Sequence, residues 1–144
     1  MQSETTLTHE DAKRALDAMA SQCASKRLKA VFAVADSHGE LIGLLRLAGA
    51  PLASVQIAAN KAYTAARERK PSREVGRASK DPTDGFEMAY FGDPRFTGWG
   101  GGLPVLLGGV CVGAVAVSGL SEDEDVELAG IGVKAVLEGS SERA

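Results

Sequence analysis

Hydrophobic and polar positions repeat with two different periods along this chain, and the changes of period mark its elements. Between Thr8 and Lys26 the apolar residues Leu16, Met19, Ala20 and Cys23 fall on one helical face. Thr8 and Asp11 open that stretch at capping-box spacing, with Asp in place of the usual Glu. Ala30 to Ala35 is continuously apolar, which predicts a strand buried on both faces. Asp36-Ser37-His38-Gly39 reads as a turn, and Leu41 to Leu47 as the returning strand. Pro51 to Lys70 predicts the best-formed helix: proline suits its first turn, alanines fill its interior, and Pro71 stops it. Ser72 to Lys80 continues as a short helix. Asp81 to Phe96 has no regular period and carries the turn signals Asp81-Pro82-Thr83-Asp84-Gly85 and Gly92-Asp93-Pro94.

The stretch from Gly98 to Ser121 organises the rest. A glycine loop, Gly100-Gly101-Gly102, is closed by Leu103-Pro104. Two apolar strands follow, Val105 to Leu107 and Val110 to Val117, and Gly108-Gly109 between them signals a hairpin. Gly113, Ala114 and Ala116 leave room on the second strand for a packed helix or for a ligand. Ser121 to Leu137 is the last helix, with Ser121 and Glu124 at capping-box spacing. Val126, Ala129, Val133, Val136 and Leu137 form its apolar stripe. The element order α-β-β-α-α-β-β-α implies an α+β fold, a central antiparallel β-sheet of about four to five strands packed with helices. One domain is expected over residues 1–144, fraying at 1–7 and 139–144.

Composition narrows the function classes. A chain of 144 residues can bury one core, and 44% hydrophobic with 24% charged residues is ordinary for a soluble domain. A net charge of −3 without a basic stripe argues against a nucleic-acid partner. No window has the apolar length of a membrane span, and Met1 to Thr8 lacks a signal peptide's apolar run, so a cytoplasmic location is expected. Cys23 and Cys111 sit in apolar patterns with no metal-type spacing, so they read as buried thiols and no metal site is expected.

Candidate chemistry gathers around Lys61. Its helical neighbours Ile57, Ala58 and Ala65 are apolar or small. Either it snorkels to water, or it turns its ammonium into a cleft that an anion would neutralise. Most of the aromatics crowd between Phe86 and Trp99, where they either cover the core or line a pocket or subunit interface. A first reading is a binding protein. Backbone N–H groups of Gly100, Gly101 and Gly102, with Lys61, would hold the carboxylates of a flat anionic molecule. Pro104 and Ser118 would border it, and Tyr90, Phe91, Phe96 and Trp99 would wall it. A second reading is a small enzyme of aromatic or organic-acid metabolism, with Lys61 or Asp125 as acid/base and Ser118 as hydrogen-bonding partner. There is no hydrolase elbow, zinc cluster or nucleotide fingerprint, because the glycine run is not followed by a helix. A third reading makes the small residues packing devices in a structural oligomeric module.

Three blocks in register resemble the GlcG/HbpS-type family of haem-degrading-domain proteins, related to the C-terminal domain of some cobalamin adenosyltransferases. They are Gly49-Ala50 with Ser54, Ile57-Ala58 and Lys61-Ala62-Tyr63-Thr64-Ala65; Gly101-Gly102-Leu103-Pro104; and Gly109, Val112-Gly113-Ala114, Val117-Ser118-Gly119, Asp125 and Ala129-Gly130. The resemblance implies a compact domain around an antiparallel sheet, a homo-oligomer, and haem as the candidate ligand. It departs from the family where Leu47 and Ala48 replace a Met-Asp pair and where Trp99 precedes the glycines. No histidine falls in a matching block; Tyr63, Tyr90, His38 or an exchangeable oxygen ligand would serve the iron.

Overall fold

The structure is a computed structural model and describes residues 1–143. Four helices and a four-stranded sheet follow in the expected order: α1 (His9–Lys26), β1 (Val31–Asp36), β2 (Leu41–Arg46), α2 (Ser54–Glu68), α3 (Ser72–Ser79), β3 (Gly102–Leu107), β4 (Val110–Ser118) and α4 (Glu122–Arg143). A single 3-10 turn, Met88–Phe91, interrupts the long connection before β3. The strands are antiparallel in the order β2-β1-β4-β3, so the two hairpins join through their apolar members, β1 and β4.

Both central strands are covered on two faces, as a continuous apolar run requires. On one face the alanines of α2 (Ala58, Ala62, Ala65, Ala66) lie against Val31, Ala33, Ala35, Ala114 and Ala116. On the other, α1 and α4 bring Met19, Cys23, Leu128, Ala129 and Val136 over Phe32, Val34, Val115 and Val117. Ala114 and Ala116 are therefore small because a helix backbone comes close, which settles that part of the strand in favour of helix packing.

Over the described residues the ends differ from expectation; Ala144, part of the expected frayed tail, lies outside them. Leu7 is buried, and its N–H donates to Val112 O at 2.9 Å beside the β3–β4 register shift, so the N-terminal arm is tied down from Thr6 onward. Thr6 Oγ1 itself accepts the Ser37 N–H at 2.9 Å. Helix α4 does not stop at Leu137. It continues past a buried Gly139, where any Cβ would collide with the Arg14 side chain on α1. Strand β3 also begins earlier than expected, taking in Gly102 to Pro104. Val117 N–H donates to Gly101 O at 3.0 Å, which sets the ladder so that Leu103 and Val105 bond inward. Pro104, with no N–H, falls on the outward side of an edge strand and costs the sheet no bond.

Candidate functional site

Lys61 sits two turns into α2, on the face that the small residues turn toward the sheet. It is only 3% exposed and neither snorkels nor opens to a cleft. Its Nζ donates to Val117 O at 2.9 Å and to Asp125 Oδ2 at 3.1 Å. Asp125, in the first turn of α4, is equally buried, and its Oδ1 accepts the Leu120 N–H at 3.1 Å. Burial pushes the Asp125 carboxyl above its ordinary range, although the Lys61 ammonium, its hydrogen bond and the Leu120 N–H all pull the other way. One ion pair thus joins α2, the end of β4 and the start of α4.

The glycine loop closes over this pair. A Cβ on Gly101 would lie 2.9 Å from Lys61 Nζ and 3.1 Å from Asp125 Cβ, and the residue has φ +129°. Gly102 packs on the Lys61 carbonyl. Two of the loop's donors, Gly100 N–H and Gly102 N–H, are already used within the chain. Gly100 N–H binds Glu122 Oε1 at 2.8 Å, and Gly102 N–H binds Ser72 Oγ at 3.0 Å. Ser72 Oγ in turn donates to Trp99 O at 2.7 Å. Arg73 reaches Glu122 and Asp123 beside them. Lys61, Asp125, Gly101 and Gly102 therefore lie together, but a ligand would meet Lys61 only after the loop moved. Ser118 is buried at the end of β4, one residue beyond the Lys61 acceptor. Pro104 is half-buried on β3.

The aromatic stretch splits in two. Phe91 stacks on Phe96 with centroids 4.1 Å apart, and Phe96 meets Tyr63 edge-on at 5.3 Å. Phe86 meets the edge of Phe91. The guanidinium groups of Arg67 and Arg95 stand over the Tyr63 ring at 4.6 and 4.0 Å. Burial first, and then its hydrogen bond to Asp93, push the Tyr63 phenol up, so it stays protonated and donates. Tyr63 is thus an anchor for the loop and not a free oxygen ligand. Tyr90 and Trp99 lie apart from this cluster, 77% and 62% exposed.

A second locus lies at the opposite end of α2. A cleft of about 900 Å³ is bounded by the N-terminal arm, the β1–β2 turn, the end of α2 and the β3–β4 hairpin. Its functional groups are His38, Arg67, Arg69 and Cys111. His38 Nε2 lies 2.7 Å from Glu4 Oε2 of the arm, and Arg67 Nε donates to His38 O at 2.8 Å. Cys111 is only half-buried, which corrects the expectation of a buried thiol; its S–H lies near Gly113 O and Ala66 O, at 3.4 and 3.6 Å. Cys23 is buried, and both cysteines are free. Among the described residues no three His, Cys, Asp or Glu side chains gather as a metal-ion site. No helix among them is long and apolar enough to cross a membrane.

Comparison with known proteins follows the same lines as the fold. A family model described as "Haem degrading protein HbpS-like" matches residues 7–134. The chain belongs to the HbpS-like family. It is 33% identical over 124 residues to an uncharacterized 15.0 kDa protein of the dhaT-dhaS intergenic region of Citrobacter freundii, covering 86% of this chain and 87% of that one. Among solved structures it is similar to Klebsiella pneumoniae ORFY, at TM-score 0.87 and 27% identity over 95% of this chain and 94% of the other. A Streptomyces reticuli HbpS double mutant aligns at TM-score 0.81 and 28% identity, over 93% and 89%. A PduOC complex with haem shares the fold at TM-score 0.82 and 22% identity, over 91% and 95%.

Within this HbpS-like chain, sequence reasoning singled out Lys61 and Asp125 separately, as alternative acid/base groups, and anticipated neither their ion pair nor the cleft. His38 read as an exposed turn histidine and Cys111 as a core thiol. The residues that bring them together are Leu7, which pins the arm, and the αL residue Arg69 (φ +57°), which ends α2 beside them. Neither carries a periodic signal.

Proposed function

We propose that this HbpS-like protein binds haem or a related flat anionic molecule in the cleft beside His38 and Cys111. The observation that supports this most is the donor set around one opening of suitable size. Small-molecule sites occupy about 300–1,000 Å³, and this cleft offers about 900 Å³. An imidazole and a cysteine thiolate are among the side chains that hold haem iron at its axial positions, and haem needs no third protein ligand. The guanidinium groups of Arg67 and Arg69 suit carboxylates. His38 or Cys111 would hold the iron, and the arginines would orient the propionates. Ala66 and Val110 would exclude water from the ring. A bound haem would supply redox and ligand-exchange chemistry. In the chain alone, Glu4 holds His38 in place through the 2.7 Å contact and would yield when the ring enters. Assembly into a homo-oligomer belongs to the same proposal.

The test is a haemin titration of the purified protein followed by its Soret band, with His38→Ala, Cys111→Ser, Arg69→Glu and Lys61→Ala alongside. The expected result is a saturable shift at one haem per chain. His38→Ala or Cys111→Ser should change the band position and weaken binding about tenfold, the scale of one lost ligand or charged contact of about 1.4 kcal/mol. Arg69→Glu should weaken binding with the band unmoved. A featureless response in the wild type overturns the haem reading. A response lost only in a folded Lys61→Ala variant moves the site to the glycine loop.

A further inference from the structure

The chain holds two thiols, and the fold treats them oppositely. Cys23, on α1, is fully buried in the core, and burial pushes its thiol up. Cys111, the second residue of β4, is half-buried and lines the cleft at the end of α2. Its sulfur meets only the carbonyl oxygens of Gly113 and Ala66, at the long distances a weak S–H donor makes. A reagent that enters the cleft can reach Cys111 and cannot reach Cys23.

Two further groups on the same cleft are left over by the fold. Arg69 is exposed and makes no ion pair or side-chain hydrogen bond among the described residues. Its φ of +57° is one that glycine adopts more readily, yet an arginine stands there. Ser37 Oγ is buried and finds no partner, although the Ser37 N–H donates to Thr6 Oγ1 at 2.9 Å. A buried hydroxyl left unpaired in the wall of a cleft is a group that a bound molecule completes. Arg67 adds a second cation with an exposed side chain, its Nε already given to His38 O. The one carboxylate among the described lining residues, Glu4, lies 2.7 Å from His38 Nε2. Two arginines against one glutamate make the cleft cationic within a chain of net charge −3.

We propose that Cys111 is a site of reversible modification by small disulfides that carry carboxylates. The thiol gives its proton to water, and Sγ attacks one sulfur of the disulfide. The bond between Cys111 and that sulfur forms as the reagent's own S–S bond breaks. The leaving thiolate takes up a proton. The Cys111 sulfur is thereby oxidised, the leaving sulfur is reduced, and no further oxidant is needed. Arg69, with Arg67, holds the carboxylates of the half that stays, and Ser37 Oγ donates to one of them. The cleft of about 900 Å³ has room for a group the size of a tripeptide. The reaction needs neither iron nor His38, so it stands apart from the haem reading.

The test treats haem-free wild type, Cys111→Ser and Arg69→Gly with oxidised glutathione, an anion, and with cystamine, a cation. Intact mass and peptide mapping give the rate and position of the adduct. Each rate is divided by that of free cysteine with the same reagent, which removes intrinsic reactivity. Glycine suits the left-handed backbone at position 69, so that variant loses the cation and keeps the fold, as circular dichroism checks. Expected is one glutathione adduct per chain, on Cys111 and not on Cys23, and none in Cys111→Ser. Oxidised glutathione should lead cystamine by about tenfold, and Arg69→Gly should cut that lead by about threefold. The net charge of −3 would favour the cation, so a lead for the anion arises at the cleft itself. An unmodified wild type, an adduct on Cys23, equal or reversed rates for the two reagents, or a lead unchanged in folded Arg69→Gly overturns the proposal. The comparison of reagents on the wild type decides it without the variant.

Discussion

Lys61 and Asp125 show how much one pair can hold. Each is 3% exposed, and together they bond to the ends of β4 and the turn before α4. Removing one partner of such a pair strands the other charge in a dry interior, at about 3–5 kcal/mol, whereas replacing both with apolar residues of similar volume is often neutral. Lys61→Ala should therefore lower the melting temperature by on the order of 10 °C. Lys61→Met with Asp125→Leu should recover most of that loss. Thermal unfolding of the single and double variants decides it; a double variant as unstable as the single one would mean that the pair does more than neutralise itself. Asp125, with its raised carboxyl value, gives the fold stability that is complete below the ordinary carboxylate range and fades as pH rises through its own.

At the scale of elements, the glycine loop and the β3–β4 hairpin use the same residue for different reasons. Gly108 and Gly109 have positive φ and open space around them, so they answer only to the backbone of a two-residue turn. Gly101 combines φ +129° with Val117 O, Lys61 Nζ and Asp125 Cβ all within 3.1 Å of any added Cβ. Gly108→Ala should cost about 1 kcal/mol, the strain of one left-handed residue. Gly101→Ala should cost about 3 kcal/mol or more, because strain and collision add. Denaturant midpoints of the two variants, measured with equal slopes, test the ordering. Equal midpoints would mean that the loop is not packed on the Lys61 node.

Across the whole molecule, the long connection from α3 to β3 is held by a few polar ties. Thr64 Oγ1 accepts the Thr97 N–H at 2.9 Å, and Asp93 binds both Tyr63 and the Arg95 side chain. The Arg95 guanidinium, then the Tyr63 hydroxyl, hold the Asp93 carboxyl well below the usual carboxylate range. A lowered folded value means that this support is complete above the ordinary range and is lost as pH falls through it toward the lowered one. Asp93→Asn should therefore flatten the acid limb of the melting-temperature profile and leave neutral-to-alkaline behaviour parallel to wild type. An unchanged acid limb would show that the tie carries no net stability.

The order of elements, the double-sided burial of β1, the alanines of α2 and both capping boxes were legible in the sequence. They are local: periodicity, small side chains and cap residues act within a turn or two of themselves. Sequence also singled out Lys61, the glycines and Asp125, but in two separate readings: the glycines with Lys61 for binding, and Lys61 or Asp125 for acid/base work. What sequence could not decide was whether that lysine met solvent, ligand or a carboxylate 64 residues away. That answer depends on where α4 crosses the end of β4. The same holds for the cleft, which exists because Leu7 ties the arm to Val112 and so brings Glu4 to His38 near Cys111. It holds for the two edges of the sheet as well. Local composition fixed which strands form, but only tertiary strand order decided that Pro104 guards one edge and leaves Leu41 to Arg46 on the other.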